Sequence, residues 1–513
     1  MLIVDLLNSI HLGHDAAEND QALEAAFVET QAFRRLIGDD IDLVTGLKGT
    51  GKSALYRMLT EYPAMFPELD NVHIVRASNP TSNPVFKVLF TEQSSELRLR
   101  SIWAAFFAGL IGNTVVDQHL LTGGVSSRVQ EINDVLELLG LRIKPKKEAS
   151  LLQRILAAKS FEPTITSDTS GVFTFGLKFD VPDSLSTSNQ ISLELSDFMA
   201  VIKSCDDVMK SVGEKVWVAV DRLDECFTRD SEMERRALRA LLRTHLDITS
   251  ELGLKRRVGA KLFLRTDLLR RMSSDVAFTN STHLRSIELQ WNEKDIQNIV
   301  GRRLLQSSNA RRAWPDCASS ARPAEHAWRH LVPQRLTAGD GRPAVHDICA
   351  WTSDGHRATN PRNVLTLLRL SLQRLSEVEL DRVPMRQVDP GQPLLEEPLI
   401  KSSLGKLSRK RLTDTVLNEF PGVEHLVRAL ERGPSSYGTR TDLLRKLGLE
   451  STTEAVQDGA LDLLLLTGVL GRNGEQYVVP ILYRAALRTV STKALSARRR
   501  PVSNQETKGI SGS

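Results

Sequence analysis

Apolar residues along the chain fall into two alternating rhythms. Ile41, Leu43 and Val44 form a short run that reads as a buried strand, and Ala54, Leu55, Met58 and Leu59 then recur at helical spacing. Gly46, Gly49 and Gly51 break the pattern between them, so the segment predicts strand, glycine loop, helix. Upstream, Leu23, Phe27, Val28, Phe33, Leu36 and Ile37 sit among acidic and polar positions, which predicts one amphipathic helix over residues 16 to 37. Val72-His-Ile-Val-Arg76 predicts a second strand. Residues 94 to 121 predict a helix whose apolar face carries Trp103, Phe106, Phe107, Leu110 and Ile111. Its most apolar part, Ile102 to Val116, falls short of the ~20 residues needed to cross a bilayer, so a buried helix and no membrane are expected.

Strict alternation returns in Gly171-Val-Phe-Thr-Phe-Gly-Leu-Lys-Phe-Asp180, predicting a strand or half of a hairpin inside an insertion. Val216 to Val220 are all apolar, as in a parallel strand buried on both faces, and Lys261-Leu-Phe-Leu-Arg-Thr-Asp267 predicts another. Beyond Leu289-Gln-Trp-Asn292 the pattern is mostly helical, marked by Ile296, Ile299, Val300, Leu304 and Leu305 and again by Asn363 to Leu372. Pro384, Pro390, Pro393 and Pro398 mark a linker. Ser408 to Leu487 reads as three helices followed by two apolar stretches around Asn473-Gly474, a strong signal for a tight hairpin.

These rhythms predict an α/β protein. They divide it into an N-terminal helical arm (1–40), a parallel-sheet core (41–290) with an insertion at about 90–200, a helical lid (291–382), a linker (383–402), a winged-helix-like domain (403–490) and a disordered polar tail (491–513). Composition agrees, with 41% hydrophobic and 25% charged residues, the make-up of a soluble globular chain. The net charge of +4 is too small for a global field, so any basic surface must be local. Cys205, Cys226, Cys317 and Cys349 are far apart in sequence, which suits reduced thiols in the cytoplasm better than a disulfide frame or a cysteine zinc site. The start, Met1-Leu-Ile-Val-Asp5, lacks a basic region and a cleavage site, so no signal peptide is expected.

Candidate chemistry concentrates at the glycine loop. Gly46-x4-Gly51-Lys52-Ser53 lies between strand and helix, the context in which this spacing cradles phosphate. Backbone N–H groups from Gly46 through Gly49, Thr50, Gly51 and on to Ala54 can curl around an anion only where no side chain blocks the approach. Lys52 would reach the outer phosphates, and Ser53 would ligate a magnesium ion. The competing reading, a glycine turn that binds nothing, meets the low chance frequency of four fixed positions, about one or two per cent of chains this long.

Asp221, Asp224 and Glu225 follow the strand Val216 to Val220 at its carboxyl end, where open α/β sheets bind ligands. Asp221 would hold magnesium through water, and Asp224 or Glu225 would polarise an attacking water. Arg265 ends the next strand and could stabilise terminal-phosphate charge; a salt bridge to Asp267 or Asp221 is the alternative. Asn360-Pro-Arg362 starts a helix and could project Arg362 onto a phosphate. Lys401, Lys406, Arg409, Lys410 and Arg411 form a local basic cluster that reads as either a DNA-binding patch or a solvated helix face.

Phosphate loop, Val-Asp-Arg-Leu-Asp-Glu, Phe-Leu-Arg-Thr-Asp, Leu-Gln-Trp, Asn-Pro-Arg and a terminal winged helix occur here in that order. Over roughly residues 15 to 490 the chain resembles bacterial P-loop ATPases related to the STAND and AAA+ classes, often found beside mobile elements and phage-defence genes. The resemblance implies ATP rather than GTP, a magnesium cofactor, homo-oligomerisation and a partner effector protein. Arg265 and Arg362 match the two sensor positions. Three functions follow as expectations: an ATP-hydrolysing switch; a DNA-binding winged-helix regulator with a mainly structural nucleotide site; and, least favoured, a small-molecule kinase.

Overall fold

The computed structural model describes residues 1–14, 17–77, 94–122, 126–139, 141–142, 162–167, 173–178, 192–223, 232–273, 284–336, 341–382, 384 and 386–490. The chain divides into two compact units, one built from Ala16–Glu24 and Glu29–Gln290, the other from Met1–Asp15, Ala25–Val28 and Trp291 onward.

The first unit is an α/β structure around a parallel sheet. In chain order its strands are β1 (Leu43–Gly46), β2 (Val72–Arg76), β3 (Glu162–Ser167), β4 (Phe173–Lys178), β5 (Ser192–Leu193), β6 (Lys215–Val220), β7 (Val258–Arg265) and β8 (Ser286–Glu288). The main sheet runs β2-β6-β7-β1-β8, every pair parallel. Strands covered on both faces have no room for polar alternation, which is why Val216–Val220 of β6 reads as an unbroken apolar run and β7 departs from one only at the buried, ion-paired Lys261 and at its final Arg265. The alternating segment near residue 175 forms β4, paired antiparallel with β3 and extended by β5.

The helix predicted over 16–37 is instead three short pieces, Ala17–Asn19, Leu23–Ala26 and Gln31–Ile37. Thr30 starts the last piece by accepting a hydrogen bond from the Phe33 N–H, an N-cap that ends any continuous helix there. The apolar segment at 94–121 becomes a 27-residue helix, Glu96–Thr122, longer than its apolar core suggested. Its length and composition would suffice to cross a membrane, yet 83% of its most apolar window is buried inside the unit. Trp103 is fully buried there and donates its indole N–H to Ala237 O at 2.9 Å.

A charged cluster closes the amino-terminal end of the sheet. Asp42, 1% exposed, accepts from Arg256 Nη2 at 2.7 Å, from Arg285 Nη2 at 2.8 Å and from Lys261 Nζ at 3.1 Å. His245 Nε2 stands 3.5 Å from the same carboxylate. Lys261, also 1% exposed, reaches Asp39 Oδ1 at 2.6 Å and stacks over the Trp217 ring. Burial pushes the Asp42 carboxyl up, but hydrogen bonds from His245 and Arg285 and the Lys261 charge outweigh it and hold the group far below the usual carboxylate range.

The second unit is mostly helical. Asn292 and Asp295 form a capping box at the start of the helix Glu293–Leu304, which buries Ile296, Val300 and Leu304 against the helix Pro323–Leu331. Gly301 permits that approach: a Cβ there would lie 1.9 Å from the carbonyl oxygen of Ala324. Gly301→Ala is therefore expected to cost about 1–3 kcal/mol by forcing backbone apart, read as a lower urea midpoint with unchanged slope. The helix Ile3–Ser9 belongs to this unit too, Ser9 Oγ meeting Ser307 Oγ at 2.7 Å. A helix, Glu397–Arg411, already begins within the stretch expected as linker.

At its end the chain forms the helix Glu424–Leu430, β9 (Ser436–Tyr437), the helices Arg440–Leu447 and Glu454–Leu466, then β10 (Gly471–Asn473) and β11 (Gln476–Val478). Gly474 takes φ 61° in the tight turn that Asn473-Gly474 announced. The small sheet is ordered β10-β11-β9.

Candidate functional site

The glycine loop joins β1 to the helix Lys52–Glu61 as its spacing predicts. Gly49 (φ 86°) and Gly51 (φ 99°) both adopt left-handed backbone, where a Cβ would be strained. Gly46 is required for a different reason, because its Cβ would lie 2.5 Å from Thr50 Oγ1. Thr50, 2% exposed, donates to Leu47 O at 2.8 Å and so ties the loop across its own base.

Gly51 caps the helix without any side-chain hydrogen bond, which leaves the helix start to the backbone and whatever anion meets it. Lys52 Nζ folds over the loop and donates to Gly46 O at 2.8 Å and Leu47 O at 3.1 Å. The ammonium is thereby held over the cradle that the glycines leave open. Ser53 and Ala54 follow, half-buried in the first turn. Behind them Leu55, Met58 and Leu59 are buried, and Tyr56 meets Phe263 edge to face at 5.8 Å, seating the helix on the sheet.

Strand order places the acids. One strand, β7, lies between β1 and β6, and all three run the same way. The parallel strands β6 and β1 both end at the carboxyl edge of the sheet, which puts Asp221 at the edge that carries the loop, two strands over. Val220 and Leu43 share Leu262 as register partner, so Asp221 stands level with Val44, two residues short of Gly46. It is 4% exposed. The next residue, Arg222, has φ 59°, an uncommon backbone conformation for a non-glycine, and such outliers cluster at functional sites. Sequence reading missed it, since nothing in residue type marks the strain. Asp224 and Glu225 lie outside the described residues.

Arg265 is the register partner of Gly46, so it stands level with the loop. It makes a bidentate pair with Asp267, Nε to Oδ1 at 3.0 Å and Nη2 to Oδ2 at 2.8 Å, the alternative its sequence position allowed. Arg362 is the second residue of the helix Pro361–Leu380 in the helical unit, with Pro361 at the first position.

The basic cluster near residue 405 is less of a patch than its spacing suggests. Arg411 is 8% exposed and donates to Thr415 Oγ1 at 2.9 Å. Lys401 pairs with Glu397 at 2.6 Å. Only packing could reveal this, because Arg411 turns inward beside the buried Tyr483. The helical unit also holds a cavity of about 820 Å³ whose lining includes Trp291, Lys294, His346, Arg357 and Arg484.

No family model matches the chain. It is similar to the transposon gamma-delta 80.3 kDa protein of Escherichia coli (strain K12), with 24% identity over 325 residues that cover 60% of this chain and 42% of that protein. The chain thus matches less than half the length of this curated relative. Among solved structures it is similar to the Walker-type ATPase of Pyrococcus abyssi, at 12% identity and a TM-score of 0.37, covering 90% of this chain and 95% of that one. It is also similar to the ORC1 protein of Aeropyrum pernix in complex with DNA, at 12% identity and a TM-score of 0.34, covering 93% and 98%.

Proposed function

We propose that the chain is an ATP-binding and ATP-hydrolysing molecular switch, acting with a partner effector in a bacterial anti-phage defence or DNA-maintenance system. The observation that carries the reading is the uncapped helix start behind a left-handed glycine cradle, with Lys52 held over it and buried Asp221 at the same sheet edge. Gly46, Gly49, Thr50, Gly51, Lys52, Ser53 and Ala54 would hold the phosphates, and Ser53 with Asp221 the magnesium ion. ATP supplies the phosphoanhydride bond that is cleaved. Glu225 or Asp224 orients and deprotonates the attacking water, while Lys52 and Arg265 stabilise charge on the transferred group. Arg265 is held ready by Asp267, and Arg362 would report the nucleotide state to the helical unit. The transposon protein among the relatives fits a mobile-element setting.

The second reading, a DNA-binding winged-helix regulator, draws on the helix-and-hairpin order after residue 424. Two observations weaken it. The helix Glu454–Leu466, which would enter a major groove, carries Glu454, Asp458 and Asp462 and no basic residue, so phosphates would repel it. Buried Arg411 and paired Lys401 also remove charge from the proposed basic face.

ATP turnover against protein concentration, with and without duplex DNA, tests both. Glu225→Gln is expected to keep nucleotide binding and lose about 10²–10⁴-fold in turnover, the span of general-base effects. Undiminished hydrolysis in both Glu225→Gln and Asp224→Asn would remove the proposed chemistry. Tight, salt-dependent duplex binding without turnover would favour the regulator.

A further inference from the structure

A group of metal-ligating side chains lies in the helical unit, unconnected with the phosphate loop. His326 and His330 are four residues apart on the helix Pro323–Leu331, so they project from one face, the spacing that lets two imidazoles share one ion. Asp316, the first residue of the helix Asp316–Ser319, meets both: its Oδ2 lies 2.7 Å from His326 Nε2 and 3.0 Å from His330 Nε2. All three donor atoms fall within 4.8 Å of one another.

The site is partly pre-organised. His330 is 9% exposed and stacks on the buried Trp314 ring, centroids 5.2 Å apart and planes 4° from parallel, so its ring needs little ordering. Asp316 is exposed and His326 half-exposed, which leaves a path for an ion to enter. Donors in a tetrahedral site with bonds of about 2.0 Å stand about 3.3 Å apart. Asp316 Oδ2 already lies 2.7 and 3.0 Å from the two imidazole nitrogens, so the carboxylate has to move back from each by only a few tenths of an ångström to admit an ion.

We propose that Asp316, His326 and His330 bind a divalent transition metal, zinc(II) by the preference of two imidazoles and a carboxylate, with a fourth position open to water. The ion clips the helix Asp316–Ser319 to the helix Pro323–Leu331 and thereby stiffens the helical unit. The competing arrangement is a plain hydrogen-bonded trio. The two differ in proton placement: in the trio both Nε2 atoms carry protons toward Asp316, whereas in the metal site both present lone pairs and the protons sit on Nδ1.

The test uses the full chain without a polyhistidine tag, stripped with chelator and titrated with cobalt(II) and then zinc(II) in the absence of nucleotide. One equivalent of cobalt should bind with a visible d–d absorption band that zinc abolishes. Zinc should raise the melting temperature of the wild type and not of His326→Ala. His326→Ala should weaken binding by more than about 100-fold, beyond the 10–100-fold that outer-shell partners cost. His326 is chosen first because it is partly exposed and its truncation leaves no buried cavity; Asp316→Asn gives an independent check at an exposed position. Absence of binding at micromolar metal, or binding unchanged in both variants, overturns the site and leaves the hydrogen-bonded trio.

Discussion

Lys52→Ala is expected to reduce ATP affinity by about 100-fold or more, leaving no measurable binding at concentrations that saturate the wild type. The ammonium already lies over the loop, donating to the carbonyls of Gly46 and Leu47, and these are poor substitutes for a polyanion. Hydrogen bonds to charged groups contribute about 1.5–3 kcal/mol each, and every 1.4 kcal/mol is tenfold in affinity. Loss of one such cation from a site that must offset several phosphate charges therefore corresponds to about two decades. Equilibrium dialysis with labelled ATP would measure it. The fold should survive, because Lys52 is half-buried and its present partners are loop carbonyls, so the melting temperature should move little. Retained affinity or retained hydrolysis in this variant would end the reading of the loop as a phosphate site.

Asp42→Ala should act on stability, lowering it by about 3–5 kcal/mol, the usual cost of removing one partner from a buried ion pair. The variant leaves Lys261 1% exposed and Arg256 6% exposed with no carboxylate at their centre, Asp39 being left to answer part of the charge. Against a total of about 5–15 kcal/mol for a domain, this is enough to populate unfolded chains. Urea titration at neutral pH measures the difference.

Acidity should reveal the same group. The folded carboxyl titrates far below its unfolded range, so its stabilisation is fully present above about pH 4 and is lost as pH falls below that. Wild type should therefore lose stability more steeply than Asp42→Asn in that window. A parallel pH dependence in the two proteins would mean that Asp42 is not the titrating centre.

Much of the candidate site was legible because its signals are local. Glycines and a lysine at fixed spacing between a strand and a helix constrain a few consecutive backbone angles, and the loop at 46–53 folds accordingly. A continuous apolar run cannot be an exposed strand, so β6 and the acid after it could be placed. Misreadings arose where side-chain direction depends on distant packing. By its spacing Arg411 reads as surface charge, whereas packing turns it inward, and residues 16–37 read as one helix because a capping threonine is a weaker mark than periodicity.

By itself the sequence determined the α/β class, the phosphate-type loop, the buried parallel strands and the closing hairpin at Asn473-Gly474, all of them products of neighbours within about ten positions. Only the tertiary structure decided the strand order β2-β6-β7-β1-β8, the pairing of Arg265 with Asp267, and the Asp316, His326 and His330 trio. It alone assembled the charged cluster, in which Asp42 meets Arg285 across 243 positions. The physical reason is that burial and pairing energies depend on which segments become neighbours in space, and chain proximity carries no record of that.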